Sequence, residues 1–142
     1  MKILVAVAPW RQWEAQLRRV RQRVFTVEQG VPAEVDVDGT DPTCMHFVAQ
    51  DARGTVLGTA RLMPTGQIGR MAVLEEHRKH GIGRRLLDMA VAEARRLDMQ
   101  HVFLHAQCHA KGFYEKSGFV AHGAEFEEAG IPHVEMTLRG RR

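Results

Sequence analysis

Apolar positions change their period several times along the 142-residue chain, and each change marks an element. Residues 3–8, ILVAVA, are apolar and β-branched enough for a strand. From about residue 10 to residue 25, Trp13, Leu17, Val20 and Val24 recur at offsets of four, three and four. That spacing is one face of a helix, with arginines on the other. Gly30, Pro32, Gly39 and Pro42 then break the regularity, so EQGVPAEVDVDGTDP reads as a loop, unusually acidic for a basic chain. Residues 44–50 and 55–62 read as two strands joined by the turn DARG, and PTG at 64–66 marks a second turn before a strand at 67–73. Three consecutive antiparallel strands follow.

The next apolar series is helical again. Ile82, Leu86, Met89, Ala90, Ala94 and Leu97 share one face while Arg84, Arg85, Asp88, Glu93 and Arg95 share the other, so the helix runs to about Leu97. Residues 101–106 are short, apolar and strand-like, and 110–117 reads as a short helix ended by Gly118. Strands at 119–122 and 133–138 complete a set of about seven. Hairpins in front and a strand, helix, strand unit behind imply a mixed α/β sheet. With no repeat, low-complexity tract or linker, residues 1–142 form a single domain of the commonest size, about 100 to 150 residues.

Composition narrows the class. A hydrophobic fraction of 44% with 26% charged residues is that of a soluble globular protein. No run approaches the roughly 18 apolar residues of a membrane span. The opening MKILVAVAPW is too short for a good signal peptide and lacks a small-residue cleavage site, and a cytoplasmic protein is expected from its cysteines. Cys44 and Cys108 show no CxxC spacing and are expected to be reduced thiols, although two cysteines leave a disulfide open.

The net charge of +3 and isoelectric point near 9.2 admit nucleic acid, a membrane surface or a phosphorylated small molecule as partner. The distribution of charge selects among them. Arg18, Arg19, Arg21 and Arg23, and the tail residues Arg139, Arg141 and Arg142, read as solvated faces without the aromatic interleaving of single-strand binders. Only Arg70, Arg78, Lys79, Arg84 and Arg85 accompany glycines, in and around the stretch RKHGIG at 78–83. That stretch lacks the GK[ST] ending of a P-loop and the third glycine of a dinucleotide fingerprint. What remains is general physics. The free N–H groups of a helix's first turn attract anions, and glycines let a backbone approach a phosphate closely. The six residues alone leave open an anion seat or an ordinary strand-to-helix turn.

Taken in order, the strand IGRMAV, then Arg78, Gly81 and Gly83 as R-x-x-G-x-G, then a long helix and FYEKSGF at 113–119 resemble the acetyl-coenzyme A signature of the GNAT superfamily of N-acetyltransferases. VFTVEQGVP, DVDGTD, LHAQCHA and GIPHVEM further resemble its small bacterial ElaA-like subgroup, so the resemblance covers nearly the whole chain. It implies a GNAT-like α/β (mixed α+β) fold, a mostly antiparallel sheet of about seven strands flanked by about four helices. It implies acetyl-coenzyme A as co-substrate. The pyrophosphate would rest on the backbone of Arg78, Lys79, His80, Gly81, Ile82, Gly83 and Arg84. The pantetheine arm would pair with the main chain of Met71, Ala72 and Val73, where the sheet splays, and Gln107 would line the same cofactor. Tyr114, the only tyrosine, matches the family's acid for the departing thiolate. A small amine acceptor and a homodimer are expected on the same ground.

The chemistry needs more than an acid. An alkyl amine is protonated at neutral pH, so a base must take a proton before it attacks a thioester. Many relatives carry a glutamate on the strand before the glycines, but 67–73 here contains no carboxylate. Glu28 is the preferred substitute, because a carboxylate in an otherwise apolar run needs a partner or a purpose. His46 is the other, and its plainer reading is a buried histidine bonded to backbone. Asp36, Asp38 and Asp41 fail as a calcium loop, since DVDGTD has its glycine at the fourth place and no glutamate at the twelfth. As an acidic rim they would attract a cationic amine; a solvated loop is the expectation. His101, His105, Cys108 and His109 are not spaced for zinc, and no metal is expected. Cys108 beside His109 does not make a nucleophilic pair on a strand, so transfer is expected to be direct. The expected activity is therefore N-acetyl transfer to a small amine. The alternatives are a coenzyme A-binding sensor that has lost the base, and a nucleic-acid binder using the arginine faces.

Overall fold

The computed structural model describes residues 2–139, so Arg141 and Arg142 of the basic tail lie outside the described residues. The elements are β1 (Leu4–Val7), α1 (Trp10–Arg21), a wide π-helical turn (Gln22–Glu28), α2 (Ala33–Asp36), β2 (Met45–Gln50), β3 (Val56–Leu62), β4 (Gln67–Val73), α3 (Ile82–Arg96), β5 (Phe103–Gln107), α4 (Lys111–Glu115), β6 (Phe119–Glu128) and β7 (Ile131–Leu138). One sheet holds all seven strands in the order β1-β2-β3-β4-β5-β7-β6. Its pairs are antiparallel except β4–β5, which is parallel.

The apolar stripes place the layers. Leu17, Val20 and Val24 are buried on one face of the sheet, and Ile82, Leu86, Ala90 and Ala94 of α3 are buried on the other. Gly58 of β3 lets α3 settle closely, since a Cβ there would lie 3.0 Å from Leu86 Cδ1. β4 and α3 match the expected spans, to one residue at the end of α3. β6 continues past the expected end at 122, because Gly123, at φ 80°, lets the strand bulge between His122 and Phe126 and resume pairing with β7. The expected helix at 110–117 is a 3-10 turn, Cys108–Ala110, followed by α4. The first helix stops as an α-helix at Arg21 and widens, with Gln29 N–H donating to Val24 O at 3.1 Å. This wide turn carries Phe25 and Glu28 toward the middle of the sheet.

Two expectations are overturned by one cluster of charges. Arg21, assigned by periodicity to the solvent face of α1, is 1% exposed, and DVDGTD is no solvated loop, since Asp36 and Asp41 are 7% and 2% exposed. Arg21 donates to both carboxylates, at 3.2 Å to Asp36 Oδ1 and 2.8 Å to Asp41 Oδ1. Arg61 of β3 bridges Asp38 and Asp41, at 3.0 and 3.1 Å. Arg70 of β4 reaches the Asp36 carbonyl at 3.0 Å and Asp38 Oδ2 at 3.2 Å. Three guanidinium groups and three carboxylates thus pin the segment after α1 to the sheet. A buried charge deprived of its partner costs about 3–5 kcal/mol, so each member needs the others. His46 completes the cluster, 2% exposed, with Nε2 at 2.9 Å from the Asp41 carbonyl.

Burial opposes the charged forms of Asp38 and Asp41, but the arginine hydrogen bonds outweigh it and hold both below the usual carboxylate range. Burial holds His46 below its ordinary value. The carboxylates therefore contribute fully above about pH 4 and lose that contribution as acid protonates them. His46 acts earlier, because below about pH 6.5 the unfolded chain takes up a proton that the native state refuses. Urea midpoints measured across pH should be level from 8 to 7, decline below about 6.5 and fall again below about 4. His46→Gln, which keeps a donor for Asp41, should remove the first decline.

Candidate active site

β4 and β5 pair at only two positions, Gln67 with Phe103 and Ile68 with Leu104, and then part. β5 stays tied to β7 along its whole length, while β4 stays tied to β3, so the fork opens into a cleft of about 1070 Å³. Just past the fork β4 bulges, two residues opposing Ala60 of β3. Arg70 takes φ 48° there, a conformation rare for a side-chain-bearing residue. It is clamped from both ends: Thr59 Oγ1 donates to its carbonyl at 3.0 Å, and its guanidinium is held by the aspartate cluster. Leu74 N–H donates to Leu57 O on the β3 side, so alternation turns the backbone groups of Val73 toward the cleft. The Val73 carbonyl accepts from Arg78 Nε at 2.8 Å.

The mouth of the cleft is the start of α3. Gly81, at φ 78°, takes a left-handed conformation that costs a glycine nothing, and no side chain caps the helix. The first intrahelical bond here is Arg85 N–H to Gly81 O at 3.1 Å, which leaves the N–H groups of Ile82, Gly83 and Arg84 without a carbonyl in the helix. A Cβ on Gly83 would rest 3.5 Å from Phe113 Cζ and 3.9 Å from Val73 Cγ2, inside the cleft wall. Lys79 and His80 are exposed beside it. An anion finds uncapped donors, a positive helix end and nearby cations in one place.

Tyr114 projects from α4 into the same cleft. Its hydroxyl donates to Met71 Sδ at 3.9 Å, and its ring meets Phe113 edge-on at 5.0 Å. Burial pushes the phenol up to about 12, so it stays protonated at neutral pH. Gln107, at the end of β5, bridges the walls, with Nε2 donating to Gln29 Oε1 at 3.0 Å and Oε1 2.6 Å from His109 Nε2. Glu28 also lines the cleft, gripped by Arg78 through bonds of 2.6 and 2.7 Å. That hydrogen-bonded guanidinium holds the Glu28 carboxyl below its usual range. His46 lies elsewhere, in the aspartate cluster.

Residues 16–139 match the family model described as an acetyltransferase (GNAT) domain. The chain belongs to the GNAT acetyltransferase family. An uncharacterized N-acetyltransferase of Bacillus subtilis, YjcF, is 37% identical over 82% of this chain and 86% of its own. The crystal structure of an acyl-CoA N-acyltransferase from Pseudomonas aeruginosa is 30% identical with a TM-score of 0.84, covering 96% of this chain and 99% of that one. Escherichia coli ElaA is 26% identical with a TM-score of 0.87, covering 97% and 100%. The forked sheet is thus the GNAT fold, as the signature implied.

The cleft has a wall that the sequence reading did not assign. Beyond β5 it is lined by the β6–β7 hairpin, including Glu128, Ile131 and His133. His105 of β5, considered only as a zinc ligand, faces Glu128 there at 2.9 Å. The extended alternation of FVAHGAEFEE was the available signal, masked by its glycine. Among the described residues no group of three or more histidine, cysteine, aspartate or glutamate side chains is placed to hold a metal ion.

Because Tyr114 is the only tyrosine in the chain, alkaline absorbance titration of the native protein follows this one phenol. The transition is expected near pH 12, and after urea denaturation it should fall to about 10.

Proposed function

We propose that this GNAT protein transfers the acetyl group of acetyl-coenzyme A directly to the amine of a small acceptor. The observation that carries the reading is the β4–β5 fork ending at the uncapped start of α3. The cleft fits such a co-substrate on physical grounds: an unpaired strand edge suits an extended amide-bearing arm, and the α3 donors suit a pyrophosphate. Arg78, Lys79, His80, Gly81, Ile82, Gly83 and Arg84 would hold the pyrophosphate. Met71, Ala72 and Val73 would align the pantetheine through their main chain, with Gln107 across the cleft. The bound donor supplies an activated acyl thioester.

The chain's own groups then have separate tasks. The Val73 N–H, directed into the cleft, supports donor alignment near the reacting carbonyl. Tyr114 meets the departing thiolate with a hydroxyl that is still protonated, and the burial that makes it a weak acid also raises the basicity of a thiolate beside it. Glu28, the expected base, is bound to a guanidinium, which supports a role in orienting Arg78 at the anion site. The free thiols of Cys44 and Cys108 suit a reducing cytoplasm, and no described helix is long and apolar enough to cross a membrane. The single domain spans residues 1–142 in this reading.

Thiol release from acetyl-coenzyme A across a broad amine panel tests the activity, and calorimetric titration with coenzyme A tests the site. Good cofactor binding with no turnover on any amine would favour a sensor. Gly83→Ala should keep or raise the melting temperature, since alanine is favoured over glycine in a helix by up to about 1 kcal/mol. It should weaken coenzyme A binding at least tenfold, because the new methyl enters the cradle. Tyr114→Phe should leave coenzyme A affinity within about twofold and lower kcat by about 10- to 100-fold; an unchanged kcat removes the acid role.

A further inference from the structure

Resting on the acetyltransferase reading, we propose that His105, oriented by Glu128, is the base that takes the proton from the acceptor amine. The first ground is position. β4 and β5 last pair at Ile68 and Leu104, so His105 is the first residue of β5 beyond the fork. Its counterpart on β4 is Gly69, where a Cβ would meet nothing within 4 Å. The fork therefore has open space on one side and an imidazole on the other. Parallel neighbours in register point to the same face, and both residues line the cleft.

The second ground is how the ring is held. A carboxylate only accepts, so the contact of 2.9 Å between Nδ1 and Glu128 Oε1 puts the ring hydrogen on Nδ1. Nε2 then carries the lone pair. Its nearest acid, Glu135 Oε1 of β7, is 3.6 Å away, too far to hydrogen-bond. Phe126 meets the ring edge-on at 5.1 Å and fixes its plane. A base with one nitrogen anchored on a carboxylate and the other free is the arrangement that general-base catalysis needs.

The third ground is that the competing groups are bound or stand away from the fork. Each of the other carboxylates in the cleft is bound by arginine: Glu28 by Arg78, Asp36 by Arg21 and Asp38 by Arg61. The other histidines of this wall stand away from the fork: His133, 6% exposed with Nδ1 2.7 Å from the Ile131 carbonyl, pairs opposite Gln107 at the end of β5, and His109 follows β5 with Nε2 2.6 Å from Gln107 Oε1. His77 lies beside the anion-binding loop, next to Arg78.

The substrate class follows as an alkyl amine that arrives as its ammonium, drawn by Glu128 and Glu135. Proton balance is closed. His105 passes one ammonium proton to water, and the freed lone pair attacks the thioester carbonyl carbon to form the C–N bond. His105 takes a second proton from the nitrogen as the C–S bond breaks and its electron pair leaves on sulfur, and then gives that proton to water. Tyr114 protonates the sulfur and is reprotonated by solvent. One proton is released per amide formed.

His105→Gln and Glu128→Gln variants, with an amine accepted by the wild type, test this. His105→Gln is expected to lower kcat/KM at neutral pH by about 100-fold or more, with coenzyme A affinity and melting temperature held. Glu128→Gln is expected to fall between it and the wild type. The groups facing His105 are Glu128 of β6 and Glu135 of β7, with His122 paired to Glu135 at 3.3 Å, and none of these supplies a second free imidazole nitrogen toward the fork. The wild-type profile of kcat/KM should therefore level off with rising pH, whereas the His105→Gln profile should keep climbing about tenfold per pH unit as hydroxide substitutes for the base. Should His105→Gln fail to fold, the fall in kcat/KM of Glu128→Gln, with coenzyme A affinity and melting temperature held, carries the test. Wild-type kcat/KM and pH profile in both variants would overturn the assignment while leaving the transferase reading intact. No turnover by the wild type on any amine would overturn both.

Discussion

Two residue pairs hold β4 to β5, and the cleft proposed as the active site depends on there being no third. A parallel pair that closed completely would satisfy its backbone and leave no cleft. Closure is prevented from both sides. β5 is committed to β7 at all five of its residues, and β4 is turned by a bulge whose strained residue, Arg70, is clamped at its carbonyl and its guanidinium. The exposed edge is then partly covered by Arg78, which caps the Val73 carbonyl. The same parting of strands sets α3 at the mouth, so the donors of a strand edge and of a helix start face one space.

Much of this fold was legible in the pattern of apolar positions. β4 and α3 read cleanly because each has a single uninterrupted period and sharp punctuation: the PTG turn before the strand, the glycines before the helix. β6 read too short because Gly123 looks like a terminator and acts as a bulge. The acidic segment was misread for a deeper reason. Asp36, Asp38 and Asp41 are neighbours in sequence, but Arg21, Arg61 and Arg70 come from three elements that meet only after the sheet forms. Charge counted along a chain carries no sign of that meeting.

The site divides in the same way. The proposed anion seat and Tyr114 lie on contiguous signatures, RKHGIG and FYEKSGF, whose spacing is local and therefore readable. Glu28 was singled out by its apolar surroundings, and the structure supplies its partner, Arg78, fifty positions away. His105 and Glu128 join only through the register of β5, β7 and β6, a relation without a sequence spacing to mark it. Their neighbourhood also depends on the β6–β7 hairpin, whose limits the pattern did not resolve.

The buried arginine–aspartate cluster has a consequence for how this chain can change over generations. Arg21 serves two aspartates, Arg61 serves two, and Asp38 is shared by Arg61 and Arg70. A single replacement strands a charge, while a concerted replacement of partners by apolar residues of similar volume can be neutral. Three arginines and three aspartates scattered over fifty positions should thus be inherited as one unit, and drift along this segment should proceed in coordinated sets.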